Sequence, residues 1–268
     1  MPASALMNVM VGAARKAARS LTRDFGEVEN LQVSVKGPAN FVSAADFRAE
    51  DILFNELAKA RPGYGFLMEE RGAVDGADRS HRWIVDPLDG TTNFLHGVPH
   101  FAISIGLERD GELVAGLIYN PITDEMFTAE KGKGAFVNDR KRLRVAARKE
   151  LADALLTTGI PHRGRPRHAR FLKEAEVLMK EVTGLRRTGS AALDLAFTAA
   201  GRFDGYWEHA LGPWDMAAGI VILREAGGIA QDLEGGERYL DTGSIIAGNK
   251  AIVEALRPVL AAAAAGTA

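Results

Sequence analysis

The sequence predicts a mixed protein in which an α+β half is followed by an α/β half. A series of strand patterns without intervening helices, between Phe101 and Val137, indicates an antiparallel sheet. After Leu151 the patterns of strands and helices alternate, and no linker is long enough to separate independent domains. We therefore expect residues 1–150 and residues 151–268 to form two halves of one compact unit.

The first half opens with two helix patterns. Residues 4–25 are alanine-rich and contain no helix breaker other than Gly12. Residues 43–46 resemble a capping box, which predicts the start of a second helix that stops before Pro62. The apolar face of this second helix is predicted to include Phe47, Phe54 and Leu57.

Strands of the first half are predicted from short apolar or alternating segments. They cover residues 31–35, 64–68, 83–85, 101–107, 113–119, 125–130 and 135–137. Asp110-Gly111 separates two of these segments and is typical of a hairpin turn. Segments 64–68 and 83–85 both end directly in carboxylates, at Glu69 and Asp86.

The second half alternates strands with helices. Strands are predicted over residues 155–158, 184–187, 205–208, 229–232 and 244–248. Helices are predicted over residues 168–182, 191–201 and 213–226, with a closing helix from Lys250.

Composition excludes several classes of protein. The formal net charge of -2 offers no overall electrostatic attraction to nucleic acid or to an anionic membrane. The absence of cysteine excludes disulfides, thiolate zinc sites and a cysteine-nucleophile phosphatase. No apolar segment reaches the length of a membrane span, and the basic residues Arg15, Lys16 and Arg19 suit an amphipathic helix better than a signal peptide. We expect a cytoplasmic enzyme.

Residues 83–94 carry the strongest chemical signal. Asp86 and Asp89 are followed by Gly90-Thr91, the apparent start of a helix, whose free backbone N–H groups favour anions such as phosphate. Two carboxylates about 4 Å apart would repel each other by about 4 kcal/mol at an effective dielectric constant near 20. No Lys or Arg lies within this segment to offset the repulsion. A divalent cation would offset this repulsion, and hard oxygen ligands favour Mg²⁺ or Mn²⁺ over zinc.

Purely structural explanations exist for each acidic residue. Asp-Pro-Leu-Asp-Gly is also a turn sequence. Asp46 suits the capping box, Asp215 follows Pro213 at a helix start, and Glu208 suits a solvated strand end. Taken singly, none of these residues decides between structure and function.

Taken together, the motifs resemble those of the inositol monophosphatase family. They are FLMEE at residues 66–70, WIVDPLDGTTNF at 83–94, GSAA at 189–192 and WDMAAG at 214–219. Met68 departs from the pattern, because many relatives carry glycine before the paired glutamates. The resemblance implies a layered α-β-α-β-α sugar-phosphatase fold, Mg²⁺ as cofactor, inhibition by lithium, a homodimer, and hydrolysis of inositol monophosphate and related polyol or sugar monophosphates.

The resemblance also implies a role for each motif residue. Glu69, Asp86 and the carbonyl of Leu88 would hold a first magnesium ion, and Asp86, Asp89 and Asp215 a second, with Glu69 serving a third through water. Thr91, with Asp46 and Glu69, would complete the catalytic set that orients the attacking water. The phosphate and the alcohol would be bound by Gly90, Thr91, Asp89, Gly189, Ser190, Ala191, Glu208 and Asp215.

Alternatives remain at this stage. Phosphatases with an aspartyl-phosphate intermediate have motif aspartates two apart, whereas Asp86 and Asp89 are three apart. Fructose-1,6-bisphosphatase or another sugar or nucleotide phosphatase of the same family stays open, as does an additional non-catalytic role in transcription antitermination with RNA or RNA polymerase factors. His96 and His100 are a poor zinc pair because Gly97 and Pro99 disfavour a helix between them. A basic run is interpreted as a solvated surface loop: Arg163, Arg165, Arg167 and Arg170.

Overall fold

Helices and sheets alternate in layers through the protein. The computed structural model describes residues 4–28, 33–37, 40–162 and 166–266, with the backbone alone for 33–37 and 40–43. Its helices are α1 Ala5–Phe25, α2 Ala44–Ala60, α3 Thr91–Leu95, α4 His168–Glu181, α5 Ala191–Ala199, α6 Pro213–Glu225, α7 Tyr239–Thr242 and α8 Lys250–Ala265. Ser4 caps α1 by accepting a hydrogen bond from Met7 N at 3.0 Å, which confirms the predicted start of that helix.

The strands divide between a two-stranded hairpin, a large sheet and a small sheet. The hairpin joins β1 Val33–Gly37 to β2 Asn40–Ser43. The large sheet contains β3 Tyr64–Met68, β4 Gly72–Val74, β5 Asp78–Asp89, β6 Ala102–Arg109, β7 Glu112–Asn120, β8 Glu125–Glu130, β9 Gly134–Val137 and β10 Lys141–Arg142. The small sheet contains β11 Leu155–Thr158, β12 Gly184–Arg186, β13 Gly205–Glu208, β14 Ile229–Gln231 and β15 Ile245–Gly248.

The large sheet has the order β10-β9-β8-β7-β6-β5-β3-β4, and its neighbours from β5 to β10 are antiparallel, as predicted. The pair β3 and β5 is parallel, because β4 folds back on β3 before the chain enters β5. In the small sheet, β11 pairs in parallel with β12 and β13, while β15 is antiparallel to β13 and β14.

The five-layer arrangement is confirmed by the packing of the buried residues. Helices α1 and α2 cover one face of the large sheet. Helices α5 and α6 lie between the two sheets, and α4 and α8 cover the outer face of the small sheet. The middle layer joins both halves of the chain, since Ile84 and Phe127 share one core with Leu193 and Ile220.

Small residues allow α6 to lie directly on the large sheet. A Cβ atom added to Gly116 would come within 2.3 Å of the carbonyl oxygen of Ala218, and one added to Gly106 within 2.9 Å of Ala217 Cβ. Ser104 of β6 donates a hydrogen bond to the carbonyl of Trp214 at 3.1 Å. These contacts fix the first turn of α6 beside the end of β5.

Several predictions of detail are corrected. Phe47 was expected on the apolar face of α2, but it is 51% exposed, because the buried face follows Ala45, Ala49, Leu53 and Leu57. The strand expected over 83–85 extends over the whole of β5. Residues 31 and 32 of an expected strand, and the Ser43 side chain, lie outside what the structure describes. Within the described ranges, none of the helices combines the length and apolar character needed to cross a membrane.

Candidate active site

A bulge near the end of β5 places two aspartates in one cluster. Asp86 pairs with Ser104 and Asp89 with Ala102, so three steps along β5 face two steps along β6. Side chains three residues apart on a regular strand point to opposite faces, and the extra residue compensates for this. Oxygens of Asp86, Asp89 and Asp215 accordingly lie within 4.8 Å of one another.

Asp215 reaches this cluster from the first turn of α6. Gly212 is the N-cap and Pro213 the first helical residue, and Asp215 Oδ2 accepts a hydrogen bond from Gly212 N at 2.7 Å. The structural explanation of this aspartate as a helix-start residue is therefore correct. The same carboxylate also faces the cluster, so the two explanations do not exclude each other.

The main chain and a helix start hold the two aspartates of β5. Asp86 Oδ1 accepts a hydrogen bond from Leu88 N at 2.8 Å. Asp89 Oδ2 accepts hydrogen bonds from Ser190 Oγ at 2.5 Å and from Ala192 N at 2.7 Å, at the start of α5. In each carboxylate these hydrogen bonds are made by one of the two oxygens, and they orient the group.

Glu69 adds a fourth carboxylate from the neighbouring strand. Met68 of β3 pairs in parallel with Val85 of β5, and Glu69 N donates to Val85 O at 3.3 Å. Glu69 and Asp86 are thus the next residues after a paired position on two parallel strands, so they lie side by side. Both residues line the same cleft.

The surroundings of the cluster disfavour the ionised form of its carboxylates unless a cation is bound. Burial, and then the charges of Glu69, Asp89 and Asp215, raise the pKa of Asp86 well above its ordinary value. Burial also raises the pKa of Asp215 strongly, and that of Asp89 to about 6, although the hydrogen bonds from Ser190 and from the start of α5 oppose the latter shift. Among the ion pairs of the described residues, none joins a Lys or Arg to these three aspartates.

The donor set fits a hard divalent cation. The cluster offers carboxylate oxygens alone, and the chain has no cysteine. His96 and His100 do not add nitrogen ligands: His96 is the C-cap of α3, and the described residues of the cluster include no histidine. Oxygen ligands of this kind suit magnesium, manganese or calcium.

The cluster lines a cleft of about 530 Å³. Eleven of the twelve predicted site residues line it: Glu69, Asp86, Leu88, Asp89, Gly90, Thr91, Gly189, Ser190, Ala191, Glu208 and Asp215. Asp46 is the exception, since it is buried on α2 and is not among the cleft-lining residues. Thr91 Oγ1 donates to the carbonyl of Leu88 at 3.1 Å, which joins the start of α3 to the end of β5.

Asp194 is a cleft residue that sequence analysis missed. Its Oδ1 accepts hydrogen bonds from Thr157 and Thr188, each at 2.7 Å, and burial raises its pKa well above the ordinary value. It thereby joins β11, the segment before α5 and α5 itself. A carboxylate within the apolar run Ala-Ala-Leu-Asp-Leu-Ala was the available signal.

Asn93 was also missed, although it lies in the main motif. Its amide nitrogen donates to the carbonyls of His100 at 2.7 Å and Thr188 at 2.9 Å, so it connects the two halves of the chain beside the cleft. Gly189, next to Thr188, has φ +92° and would place a Cβ atom 3.0 Å from the Asn93 amide nitrogen. Glycine is required there by both backbone conformation and space.

The basic run differs in part from the surface loop that was predicted. Arg163 and Arg165 lie outside the described residues. Arg167 is exposed, with Nη1 3.1 Å from His209 Nδ1. Arg170, however, lies on α4 and pairs at 2.8 Å with the fully buried Glu174, so it has a structural role.

Comparison with known proteins identifies the family. Residues 3–265 match the Inositol monophosphatase family. The chain is 64% identical over 256 residues to an inositol-1-monophosphatase of Mesorhizobium japonicum, covering 96% of each chain, and 41% identical over 251 residues to Nus factor SuhB of Escherichia coli strain K12, covering 94% of each. The crystal structure of extragenic suppressor protein suhB from Bartonella henselae has a TM-score of 0.93 and 61% identity, over 96% of this chain and 98% of that chain. The chain belongs to the inositol monophosphatase family, and it is a metal-dependent hydrolase of phosphate monoesters.

Proposed function

We propose that the protein hydrolyses inositol monophosphate, and related polyol or sugar monophosphates, with Mg²⁺ and a directly attacking water. The observation that carries the proposal is the convergence of Glu69, Asp86, Asp89 and Asp215 on one cleft. Such a set cannot be fully ionised beside a phosphate without a cation. The inositol-1-monophosphatase from Mesorhizobium japonicum, 64% identical to this chain, supports the choice of substrate.

We assign the metal ligands on the family resemblance, and the shared cleft supports the assignment. Glu69, Asp86 and the carbonyl of Leu88 would hold one ion, and Asp86, Asp89 and Asp215 a second. When bound, Mg²⁺ supplies neutralising charge for carboxylates and phosphate and lowers the pKa of coordinated water. The hydrogen bonds to Asp86, Asp89 and Asp215 from main-chain N–H groups keep these carboxylates oriented toward the cluster.

The residues beside the cluster would bind the phosphate and position the water. Gly90 and Thr91 line the cleft with the first backbone N–H groups of α3, which would donate to phosphate oxygens. Thr91 Oγ1, held by the carbonyl of Leu88, would orient the water. The assignment of Asp46 to this water gains no support from its position, so it stays a sequence-based prediction.

Further residues of the cleft would bind the alcohol. Gly189, Ser190, Ala191 and Glu208 are among those that line it. A carboxylate accepts hydrogen bonds from neighbouring hydroxyls, and such a charge-assisted bond contributes about 1.5–3 kcal/mol. Glu208 is therefore proposed to recognise the polyol rather than the phosphate.

Metal dependence provides the first test. Chelation of divalent cations should abolish hydrolysis, and added Mg²⁺ should restore it. Asp215→Asn should lower kcat by several orders of magnitude while the circular dichroism spectrum stays that of the folded protein. Full activity in the presence of chelator would contradict the proposal.

The route of hydrolysis provides the second test. Hydrolysis in a single turnover in ¹⁸O-labelled water should place one label in the released phosphate, without a trapped phosphoenzyme. A stable phosphate adduct on Asp86 would instead support the aspartyl-phosphate alternative. A screen of inositol, sugar and nucleotide monophosphates and fructose 1,6-bisphosphate would rank the substrates within the family.

A second, non-catalytic role in transcription antitermination is supported by the name of one relative, Nus factor SuhB of Escherichia coli, which is 41% identical to this chain. An affinity experiment with RNA polymerase and its elongation factors, using the inactive Asp89→Asn variant, would separate this role from catalysis. Retention of the factors by the variant would support it, and failure of both variant and wild type to retain them would contradict it.

A homodimer is proposed on the family resemblance. The oligomeric state is measured by light scattering at several protein concentrations. A mass of about 29 kDa at all concentrations, that of a single chain of 28.8 kDa, would contradict the dimer.

A further inference from the structure

The Glu208 carboxylate is held by a buried neighbour on its own strand. Tyr206 OH donates a hydrogen bond to Glu208 Oε2 at 2.6 Å. Tyr206 is fully buried, whereas Glu208 is half-buried at the cleft wall. Residues two apart on a strand share a face, so β13 itself brings this pair together.

A glycine encloses the same carboxylate from the adjacent strand. Thr158 of β11 pairs in parallel with Trp207 of β13, so Gly159 comes next to Glu208. A Cβ atom added to Gly159 would lie 1.8 Å from Glu208 Oε1 and 2.0 Å from its Cδ. A side chain at residue 159 would therefore displace the carboxylate, so glycine leaves the space that the carboxylate occupies and is not required by backbone conformation.

The Tyr206 hydroxyl stays protonated and remains a hydrogen-bond donor. Burial, together with the charges of Glu208 and Asp194, raises the pKa of Tyr206 well above its ordinary value of 10.0. Its hydroxyl thus keeps its proton at the pH values at which phosphatases are assayed. A buried hydroxyl without a partner is unfavourable, so Tyr206 and Glu208 stabilise each other's orientation.

We propose that Tyr206 and Gly159 are positioning residues that fix the Glu208 carboxylate and thereby set the preference of the site for polyhydroxylated alcohols. The inference rests on the proposed role of Glu208. Neither residue needs to touch the phosphate or the metal ligands. Their effect is on the alcohol, since a carboxylate free to rotate loses part of its advantage in accepting hydrogen bonds from ring hydroxyls.

The test compares two substrates for each variant. Inositol 1-phosphate presents several hydroxyls, whereas 4-nitrophenyl phosphate presents none, and the ratio of their kcat/KM values reports recognition of the alcohol. Tyr206→Phe and Gly159→Ala should each lower this ratio by about tenfold, the factor that corresponds to loss of one well-oriented hydrogen bond. Glu208→Gln should lower it at least as much, and Tyr206→Phe should add little in the Glu208→Gln background.

Matched controls separate positioning from general damage. Tyr119→Phe removes a comparable hydroxyl, which donates to Asp124 Oδ1 at 2.8 Å on the large sheet, and Gly12→Ala adds a methyl where no atom lies within 4 Å. Neither should change the ratio. A cooperative thermal unfolding transition shows that each variant is folded. If Gly159→Ala does not fold, Tyr206→Phe still tests the proposal, because it retains the buried ring.

The outcomes are distinct. A lowered ratio in Glu208→Gln but an unchanged ratio in Tyr206→Phe would overturn the positioning role and leave the role of Glu208 intact. An unchanged ratio in Glu208→Gln would overturn both. Equal losses in Tyr206→Phe and Tyr119→Phe would show a nonspecific effect and also overturn the inference.

Discussion

Replacement of Asp89 by asparagine should have opposite effects on stability with and without Mg²⁺. The Asp89 carboxyl has its pKa raised from 3.8 to about 6, which corresponds to about 3 kcal/mol of lost folding free energy once the group is ionised. Burial is the cause of the raised pKa, so the cost is that of ionising a carboxylate away from water. Asparagine removes the charge, and its amide oxygen can still accept the hydrogen bonds from Ser190 and Ala192.

The sign of the effect depends on pH. Because the pKa is raised in the folded state, the stability is fully present below pH 3.8 and is lost as pH rises through about 6. The metal-free wild type and Asp89→Asn should therefore be equally stable near pH 3.8, and the variant should be more stable above about pH 6. A gain of about 3 kcal/mol corresponds to a Tm higher by about 5–10 °C in a protein of this size.

The assay is thermal unfolding over a pH series in chelator and in saturating MgCl₂. Mg²⁺ should raise the Tm of the wild type by mass action and affect the variant much less, which reverses their order. Asp241→Asn, on α7 and outside the cleft, is the control for removal of one exposed negative charge. A metal-free variant less stable than the wild type at neutral pH would refute the reasoning, because the protein alone would then satisfy the ionised cluster.

Three further predictions concern other parts of the molecule. Asn93→Ala removes hydrogen bonds to two main-chain carbonyls at the join of the two halves, so it should cost about 1–3 kcal/mol in the free energy of urea unfolding and lower kcat; unchanged stability would contradict the joining role. Arg170→Gln weakens the pairing of buried Glu174 and should destabilise by about 1–3 kcal/mol, whereas Arg167→Gln at an exposed position should change stability by less than about 0.5 kcal/mol; equal losses would show that the pair with Glu174 is not the reason. Lithium should inhibit hydrolysis, because Li⁺ is close to Mg²⁺ in size but carries half the charge. Steady-state rates at rising LiCl and fixed Mg²⁺ measure this inhibition, with KCl at equal ionic strength as the control. Equal rates in the two salts would contradict the prediction.

The sequence, with its family resemblance, predicted the layered fold and eleven of the residues that line the cleft. Local patterns suffice for a helix such as α1 or a hairpin around Asp110-Gly111, since period and turn chemistry are properties of neighbouring residues. The metal cluster was predictable because its members occur in two motifs that resemble one family. Asp86 and Asp89 were expected to meet Asp215 across more than a hundred residues, and their oxygens do.

Other features depended on contacts that no local pattern contains. Phe47 does not lie on the buried face of α2. Alanines of α1 and α2 pack together, and Phe47 lies outside this contact and is exposed. The parallel pairing of β3 with β5 required the return strand β4, which carries only three residues.

What only the tertiary structure decided is how the site is supported. Asn93 and Tyr206 have no chemical signature in sequence, because a buried amide or phenol is defined by the partners that surround it. The apolar run around Asp194 indicates a buried carboxylate but not which residues donate hydrogen bonds to it. The need for Gly159 likewise follows from Glu208 lying against it on another strand. Sequence motifs indicated which oxygens could bind a metal, whereas the packing of β5, α5 and α6 determined where those oxygens meet, because these elements are far apart in the chain and are joined by long-range contacts such as the hydrogen bond from Ala192 N to Asp89.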